Sequence, residues 1–201
     1  MKKITFLGWL ILFLVPMAWG QEKIEAPPEW RFGDQWIYSW KNQKDKSGTG
    51  INTIIEVGKL VEGISCYVMK KPNRLVYYNN ELQPVAEADL KGKITLFTST
   101  PVLWIFWPLE VGKSIDQLVK WKKTSTGEKI EYRFKCKVEK AENVSTPAGD
   151  FLAWKIVSHV ERNMYERWYS HQVKNYVKMV DHLSNDTVEH LLVQHLLSDK
   201  R

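Results

Sequence analysis

Three histidines near the carboxyl end of the chain are the first residues whose type and spacing suggest chemistry. His182, His190 and His195 lie close in sequence, and a hairpin turning near residues 185–186 could bring the first two face to face. Two imidazoles in that position could hold a transition metal. The spacing of His190 and His195 places these two on opposite faces of a strand. We therefore expect ordinary surface or rim histidines, with no metal and no other cofactor.

The sequence lacks the local motifs of common catalytic sites. Residues 112–116 resemble a nucleophile elbow but lack its second glycine. There is no His-Glu-x-x-His, no Cys-x-x-Cys, no phosphate-binding glycine loop and no dinucleotide fingerprint. A hydrolase with scattered carboxylates or histidines stays open as an alternative, because such a site leaves no local signature. The sequence favours a protein that is not an enzyme, and it indicates no catalytic residue.

The two cysteines, Cys66 and Cys136, allow two interpretations. In an oxidising compartment they could form a disulfide, and closing the loop between them would stabilise the fold by about 4 kcal/mol. Alternatively, both are buried free thiols that behave as small hydrophobic residues. Neither cysteine stands at residue 21, so we expect no lipid anchor there.

Aromatic side chains are the best candidates for binding. The chain holds ten Trp, eight Tyr and seven Phe. Residues 104–108 lie in a dense apolar stretch, and as a strand they would place Trp104 and Phe106 on one side. Rings on the concave side of a curved sheet could bind an apolar ligand, or they could simply fill the core. The candidate ligand-binding residues are Trp36, Trp40, Trp104, Phe106, Trp121, Trp154 and Trp168.

The elements that must position these side chains are β-strands. Residues 130–138 alternate between apolar and charged residues, which is typical of a strand with one buried face. Similar short runs recur along the chain between turn signals. We predict an all-β, antiparallel protein, with about ten strands in a strongly curved sheet or half-barrel. The last segment, 187–197, is predicted to be a strand, with a helix as the alternative.

The chain divides into a leader and one predicted domain. Residues 1–20 combine two lysines, an apolar core and small residues before position 21, which is the pattern of a secretory signal peptide. We therefore expect export to the periplasm or beyond the cell. Residues 21–201 form a single β domain whose halves, 30–100 and 101–201, repeat weakly and predict two similar meanders.

The charge of the chain does not indicate a nucleic-acid partner. Residues 21–201 carry 27 basic and 23 acidic residues, and the two signs are mixed along the sequence. The cluster Lys-Trp-Lys-Lys at 120–123 belongs to no nucleic-acid-binding motif or long basic stripe. We also expect no stable transmembrane segment after cleavage, because the other apolar stretches are too short.

Several longer motifs resemble those of a known group of proteins. They are FGxxWxY at 32–38, PLxVGK at 108–113, VxTPAGxFxAxKI at 144–156 and WYS at 168–170. In these motifs the chain resembles exported bacterial proteins, some of them labelled TapB-like, most of which have no known function. The resemblance implies a curved β half-barrel similar to the periplasmic lipoprotein carriers, and it supplies no catalytic residues.

The sequence therefore supports three hypotheses about function. The first is an exported, non-enzymatic β protein that binds an apolar small molecule or a cell-envelope protein. The second is a structural or assembly protein that acts through its surface. The third is the hydrolase with scattered residues. The sequence does not indicate the oligomeric state.

Overall fold

The computed structural model describes residues 23–198, and within this range the regular secondary structure consists of strands. No helix in the described range is long and apolar enough to cross a membrane. The predicted signal peptide, residues 1–20, lies outside the described residues, so it stays a prediction.

Fourteen strands follow one another along residues 23–198. They are β1 (Lys23–Ile24), β2 (Gln35–Asn42), β3 (Ser47–Val61), β4 (Ile64–Lys70), β5 (Leu75–Tyr78), β6 (Pro84–Ala88), β7 (Ile94–Phe97), β8 (Leu109–Glu110), β9 (Ser114–Lys123), β10 (Lys129–Thr146), β11 (Gly149–Val160), β12 (Asn163–Ser170), β13 (Asn175–Leu183) and β14 (Asp186–Leu196). The predicted final strand is thus confirmed as β14.

Twelve of these strands close into one antiparallel barrel. Strands β2 to β7 form one meander and β9 to β14 form a second, and each strand pairs with its neighbour in sequence. The meanders join through an eight-pair seam between β14 and β2 and a two-pair seam between β7 and β9. The predicted all-β, antiparallel class is confirmed, and the curved sheet closes completely.

Strand β10 shows how the alternating pattern produces the barrel wall. Phe134, Cys136 and Val138 are buried, whereas the charged residues between them are exposed. Alternate side chains therefore point into the core, and the side chains between them face solvent, as the two-residue repeat of a strand requires. A register shift against β11 follows Val138, so β10 continues past a bulge with a different set of side chains facing inward.

An irregular stretch, residues 98–108, runs through the interior of the barrel, and we call it the interior segment. Its side chains Val102, Ile105 and Phe106 are almost fully buried in the main hydrophobic core. Trp104 packs edge-on against Phe134, with ring centroids 5.0 Å apart. Residues 104–108 therefore do not form the strand considered from the sequence, because they contact inward-facing rings of several strands at once.

Anchors from the barrel wall fix the interior segment. The Lys113 ammonium donates to the carbonyls of Trp107 and Pro108, at 3.2 and 3.1 Å. The Gln117 amide donates to the carbonyl of Pro101 at 3.0 Å. These bonds replace the strand pairing that the segment lacks, and backbone groups buried in a protein need such partners.

A second, smaller hydrophobic cluster lies on the opposite face of β4 to β6, where alternate residues point away from the main core. Its buried members are Val61, Cys66, Val68, Leu75, Tyr77, Val85, Ala86 and Ala88. The sheet is therefore buried on both faces here. This explains the near-continuous burial of these strands, where strict alternation is lost.

The two cysteines are free thiols, so the structure has the second of the two alternatives and not the disulfide. Cys136 lies in the main core and contacts the Ser158 hydroxyl at 3.3 Å, whereas Cys66 belongs to the outer cluster. The barrel wall thus separates them. Burial raises the pKa of each thiol to about 11, so both are protonated at neutral pH.

The segment before β2 closes one end of the barrel. Trp30 is buried there, and its indole N–H donates to the carbonyl of Lys174 at 2.9 Å. Next to it, the fully buried carboxylate of Asp34 accepts the backbone N–H groups of Arg31 and Ser198, at 2.9 and 2.7 Å. These bonds join the start of the barrel to its final residues, as a buried charge requires.

Candidate functional site

A cavity of about 270 Å³ lies inside the barrel, between the interior segment and strands β3 to β6. This volume is close to the lower end of the range for small-molecule sites, roughly 300–1,000 Å³. Strands β12 and β13 form its far wall, to which Arg167, Tyr169, Tyr176 and Met179 contribute. The lining mixes aromatic rings with cationic groups, so the cavity suits a molecule with an apolar body and a polar or anionic group.

The narrow part of the cavity, near the closed end of the barrel, is aromatic. Trp30 packs edge-on against Tyr78 at 5.2 Å and lies 5.6 Å from Trp36. The Tyr38 hydroxyl donates to the carbonyl of Tyr176 at 2.8 Å, which links β2 across the interior to β13. These rings hold one another in place, so an apolar group would meet a preformed surface.

Small residues on β3 lie opposite the large rings of β2. Trp36, Tyr38 and Trp40 on β2 pair with Asn52, Gly50 and Gly48 on β3. A Cβ atom at Gly48 would come within 2.8 Å of the Trp40 ring, so glycine allows that ring to pack over β3. Of these β3 residues, Asn52 borders the cavity.

Arg167 lies at the centre of the cavity wall and is held on several sides. Its guanidinium stacks on the rings of Trp104 and Tyr165, at 5.7 and 5.4 Å, and forms an ion pair with Asp181 at 2.5 Å. It also donates to the carbonyl of Val180 at 3.3 Å. Stacking and pairing fix the guanidinium in the cavity wall at low entropy cost.

The Tyr169 hydroxyl is the most informative polar atom of the site. Tyr169 is 1% exposed and lines the cavity, yet its hydroxyl has no hydrogen-bond partner within the described residues. Burial raises the pKa of Tyr169 and of Tyr38, so both are neutral phenols at physiological pH. An unpaired buried hydroxyl costs about 1–3 kcal/mol, which a bound molecule or a water could recover.

The charged part of the lining lies towards the turn between β4 and β5. Lys71 and Arg74 border the cavity there, and Arg74 is paired with Glu87 at 3.4 Å. Nearby, burial lowers the pKa of His190; Arg167 and Lys71 lower it further, against the opposing effect of Asp181. His190 is therefore neutral at pH 7.

The structure separates the seven aromatic residues that the sequence suggested for binding. Trp104 borders the cavity. Five others are buried core residues, namely Trp36, Phe106, Trp121, Trp154 and Trp168. The ammonium groups of Lys155 and Lys178 lie over the Trp168 ring, and Trp40 packs over Gly48. A ligand-binding role therefore stays a prediction, and its geometric support is at Trp104.

The histidines do not face one another. In the hairpin between β13 and β14, His182 lies opposite Thr187, and His190 lies opposite Met179. His182 instead contacts the Glu166 carboxylate at 2.9 Å on the outer wall. The tight pairing of Leu183 with Asp186 sets this register, and a pairing of His182 with His190 would need β14 to shift by three residues. Residues 23–198 contain no cluster of three His, Cys, Asp or Glu side chains placed to bind a metal.

Sequence reasoning missed Arg167 and Tyr169, although their spacing carries a signal. Tyr165, Arg167 and Tyr169 alternate along β12 and share its inward face. A cation between two aromatic residues on the buried face of a strand is unusual, because charged groups are costly to bury without partners. Lys71 and Arg74 could not be identified in this way, because they lie in the turn between β4 and β5, which has no alternating pattern.

Together, fold and site define a class: an antiparallel β-barrel with an interior segment and an aromatic, cation-bearing cavity. No family model matches the chain, and no curated protein matches it. The resemblance to TapB-like proteins is therefore not confirmed.

Several solved structures resemble the chain. A protein of Parabacteroides distasonis, inferred to be a lipoprotein, is 13% identical, with a TM-score of 0.41 over 85% of this chain and 97% of the other. An inferred exported protein of YmcC-like fold from Bacteroides fragilis is 9% identical, with a TM-score of 0.45 over 86% and 99%. The hypothetical lipoprotein YmcC of Escherichia coli is 8% identical, with a TM-score of 0.39 over 80% and 84%.

Proposed function

We propose that this chain is an exported, non-catalytic binding protein that holds a small amphipathic molecule inside its barrel. The signal-like pattern of residues 1–20 supports export. The cavity between the interior segment and β3 to β6 supports binding, and its lining defines the chemistry: rings for an apolar body, with cations and a free phenol for a polar group.

The observation that carries the proposal is the Tyr169 hydroxyl. It is buried, belongs to a side chain that borders the cavity and has no partner among residues 23–198, whereas the Tyr38 hydroxyl donates to the carbonyl of Tyr176. Buried polar groups in folded proteins nearly always have partners. A ligand oxygen or nitrogen beside Tyr169 would supply the missing hydrogen bond.

The lining also favours binding over hydrolysis. Among the residues that border the cavity, Glu87 is the one carboxylate, and it is engaged by Arg74. The phenols there stay protonated because their pKa values are raised by burial. General acid–base catalysis needs a base near the reacting group, and this lining offers none that is free.

The test uses delipidated protein and two fluorescent probes of similar size, anionic anilinonaphthalene sulfonate and uncharged phenylnaphthylamine. We expect both probes to bind, with the anionic probe bound more tightly. In Val76→Phe the added ring occupies the cavity, and we expect binding of both probes to fall at least tenfold. The matched control is Val57→Phe, on the outer surface of β3, where the same substitution should leave binding unchanged.

Equal probe binding by Val76→Phe and by the unaltered protein would contradict the proposal, since the probes would then bind elsewhere. A second variant, Tyr169→Phe, tests the polar contact. It keeps the ring and removes the hydroxyl, so we expect weaker binding of ligands recovered from the native source, with little change in apolar probe binding.

A further inference from the structure

The two ends of the barrel carry opposite charge. Because neighbouring strands run antiparallel, every second connection lies at the same end. One end, which we call the mouth end, holds the turns at 43–46, 71–74, 89–93, 124–128, 161–162 and 184–185. The closed end holds the remaining connections, at 25–34, 62–63, 79–83, 98–108, 111–113, 147–148, 171–174 and 197–198.

Charge counts separate the two ends. The connections of the mouth end contain seven basic and four acidic residues, whereas those of the closed end contain three basic and five acidic residues. Three further lysines flank the turn at 124–128, namely Lys122, Lys123 and Lys129. The connections of the mouth end are therefore net positive and those of the closed end net negative, in a chain whose overall net charge is +6.

Several acidic groups of the mouth end are already engaged. Asp45 is paired with Lys41 at 3.1 Å and Glu128 with Lys123 at 2.8 Å. The Asp89 carboxylate accepts the backbone N–H groups of its own turn. By contrast, four exposed lysines form no ion pair within the described part of the chain: Lys44, Lys46, Lys91 and Lys93. Their ammonium groups are left to solvent or to an external partner.

An apolar side chain stands among these cations. Leu90, in the turn between β6 and β7, is 52% exposed and is followed by Lys91. A surface that combines lysines with an exposed apolar side chain is typical of binding at a lipid–water interface. The same end carries Lys71 and Arg74, which border the cavity.

We propose that the mouth end docks onto an anionic lipid surface. Lys44, Lys46, Lys91 and Lys93 lie near the headgroups, and Leu90 enters the interfacial layer. Each lysine near a negatively charged membrane contributes to binding, and the effect is screened by salt. The docking itself does not depend on the proposed function. Only its biological purpose does, since docking would bring Lys71 and Arg74, which border the cavity, close to the lipid.

The test measures co-sedimentation with vesicles of phosphatidylcholine alone and of phosphatidylcholine mixed with an equal amount of phosphatidylglycerol. We expect binding to the anionic vesicles that is lost at high salt, and little binding to the neutral ones. Replacing the four lysines with glutamine should lower binding about 100-fold or more. A control variant with Lys23, Lys59, Lys135 and Lys137 replaced has the same net charge and should keep more of its binding.

A second pair of variants tests the apolar contact. Leu90→Ser should weaken vesicle binding several-fold, whereas Leu60→Ser should not, although Leu60 is 68% exposed. Leu60 lies next to the closed-end turn at 62–63, away from the proposed surface. Equal losses in both pairs of variants would overturn the proposal, because vesicle binding would then depend on net charge or on nonspecific hydrophobic adsorption.

The two proposals fail in different ways. If the barrel binds probes but not anionic vesicles, the docking surface is wrong and the binding function stands. If Val76→Phe abolishes probe binding and vesicle binding persists, the two sites are separate, as we expect. Binding to vesicles with no probe binding in any form would support docking and reject the cavity.

Discussion

The barrel interior has two unequal sides. On the packed side, formed by β9 to β11, Phe134, Val138 and Ile156 are fully buried in the main core, and Phe134 packs on Trp104 of the interior segment. On the open side, formed by β3 to β6, the interior keeps a cavity lined by rings and cations. Both sides share one sheet and one pairing pattern. The difference shows that the side chains, and not the barrel, decide whether the interior is core or site.

The comparison predicts its largest effect at Phe134. Phe134→Ala removes a ring at 0% exposure that packs on Trp104, and we expect a loss of about 3–5 kcal/mol in the free energy of unfolding. Urea denaturation measures it. Phe32→Ala, at a ring that is 71% exposed, is the control and should change stability by less than about 0.5 kcal/mol. Similar losses in both variants would mean that the packed side is not packed.

A matched enlargement sharpens the contrast between the two sides. Val138→Phe adds a ring where no space exists, so we expect a cost of about 1–3 kcal/mol. The same change at Val76 places the ring in the cavity and should cost less than about 1 kcal/mol. Thermal unfolding of both variants tests the difference. If Val76→Phe is the more costly of the two, the cavity does not accept added volume.

Two tyrosines that border the cavity should respond in opposite directions when their hydroxyl groups are removed. Tyr38→Phe breaks the bond to the carbonyl of Tyr176 and should cost about 1 kcal/mol. Tyr169→Phe removes an unpartnered hydroxyl, so the stability of the ligand-free protein should stay unchanged or rise by up to about 1 kcal/mol. A marked loss in Tyr169→Phe would show that this hydroxyl has a strong partner in the free protein.

The smallest effect is expected on the outer wall, where neither side of the interior is involved. Burial by itself raises the pKa of Glu166, but hydrogen bonds and charges from His182 and Lys155 hold it below its ordinary value. The ionised carboxylate therefore favours the folded state above the unfolded pKa of about 4.3, and this stabilisation is lost as pH falls through the lower, folded value.

Glu166→Gln should remove this pH dependence. We expect the variant to be less stable than the unaltered protein at pH 7, and the gap between them to shrink on acidification below about pH 4. Urea denaturation at a series of pH values measures the gap, and probe binding should not change. A gap that widened on acidification would contradict the lowered pKa.

Much of the barrel could be predicted because strand formation is a local property. In β10, the alternation around Phe134 requires an extended chain with one buried face, whatever surrounds it. Turn residues such as those at 184–186 set the ends of strands in the same way. The number of strands was harder to predict, because the short strands β5 and β6 are buried on both faces and lose the alternating pattern.

The cavity could not be predicted from local sequence patterns, because it depends on contacts between residues that are distant in sequence. From the sequence, residues 104–108 stood out as a dense apolar stretch. The high aromatic content predicted that rings would line a binding surface or fill the core. Only closure of the sheet brings Arg167, Tyr169 and Lys71 to one cavity. The alternation of a strand depends on residues that are neighbours in sequence. The cavity depends on how all twelve strands of the barrel pack together.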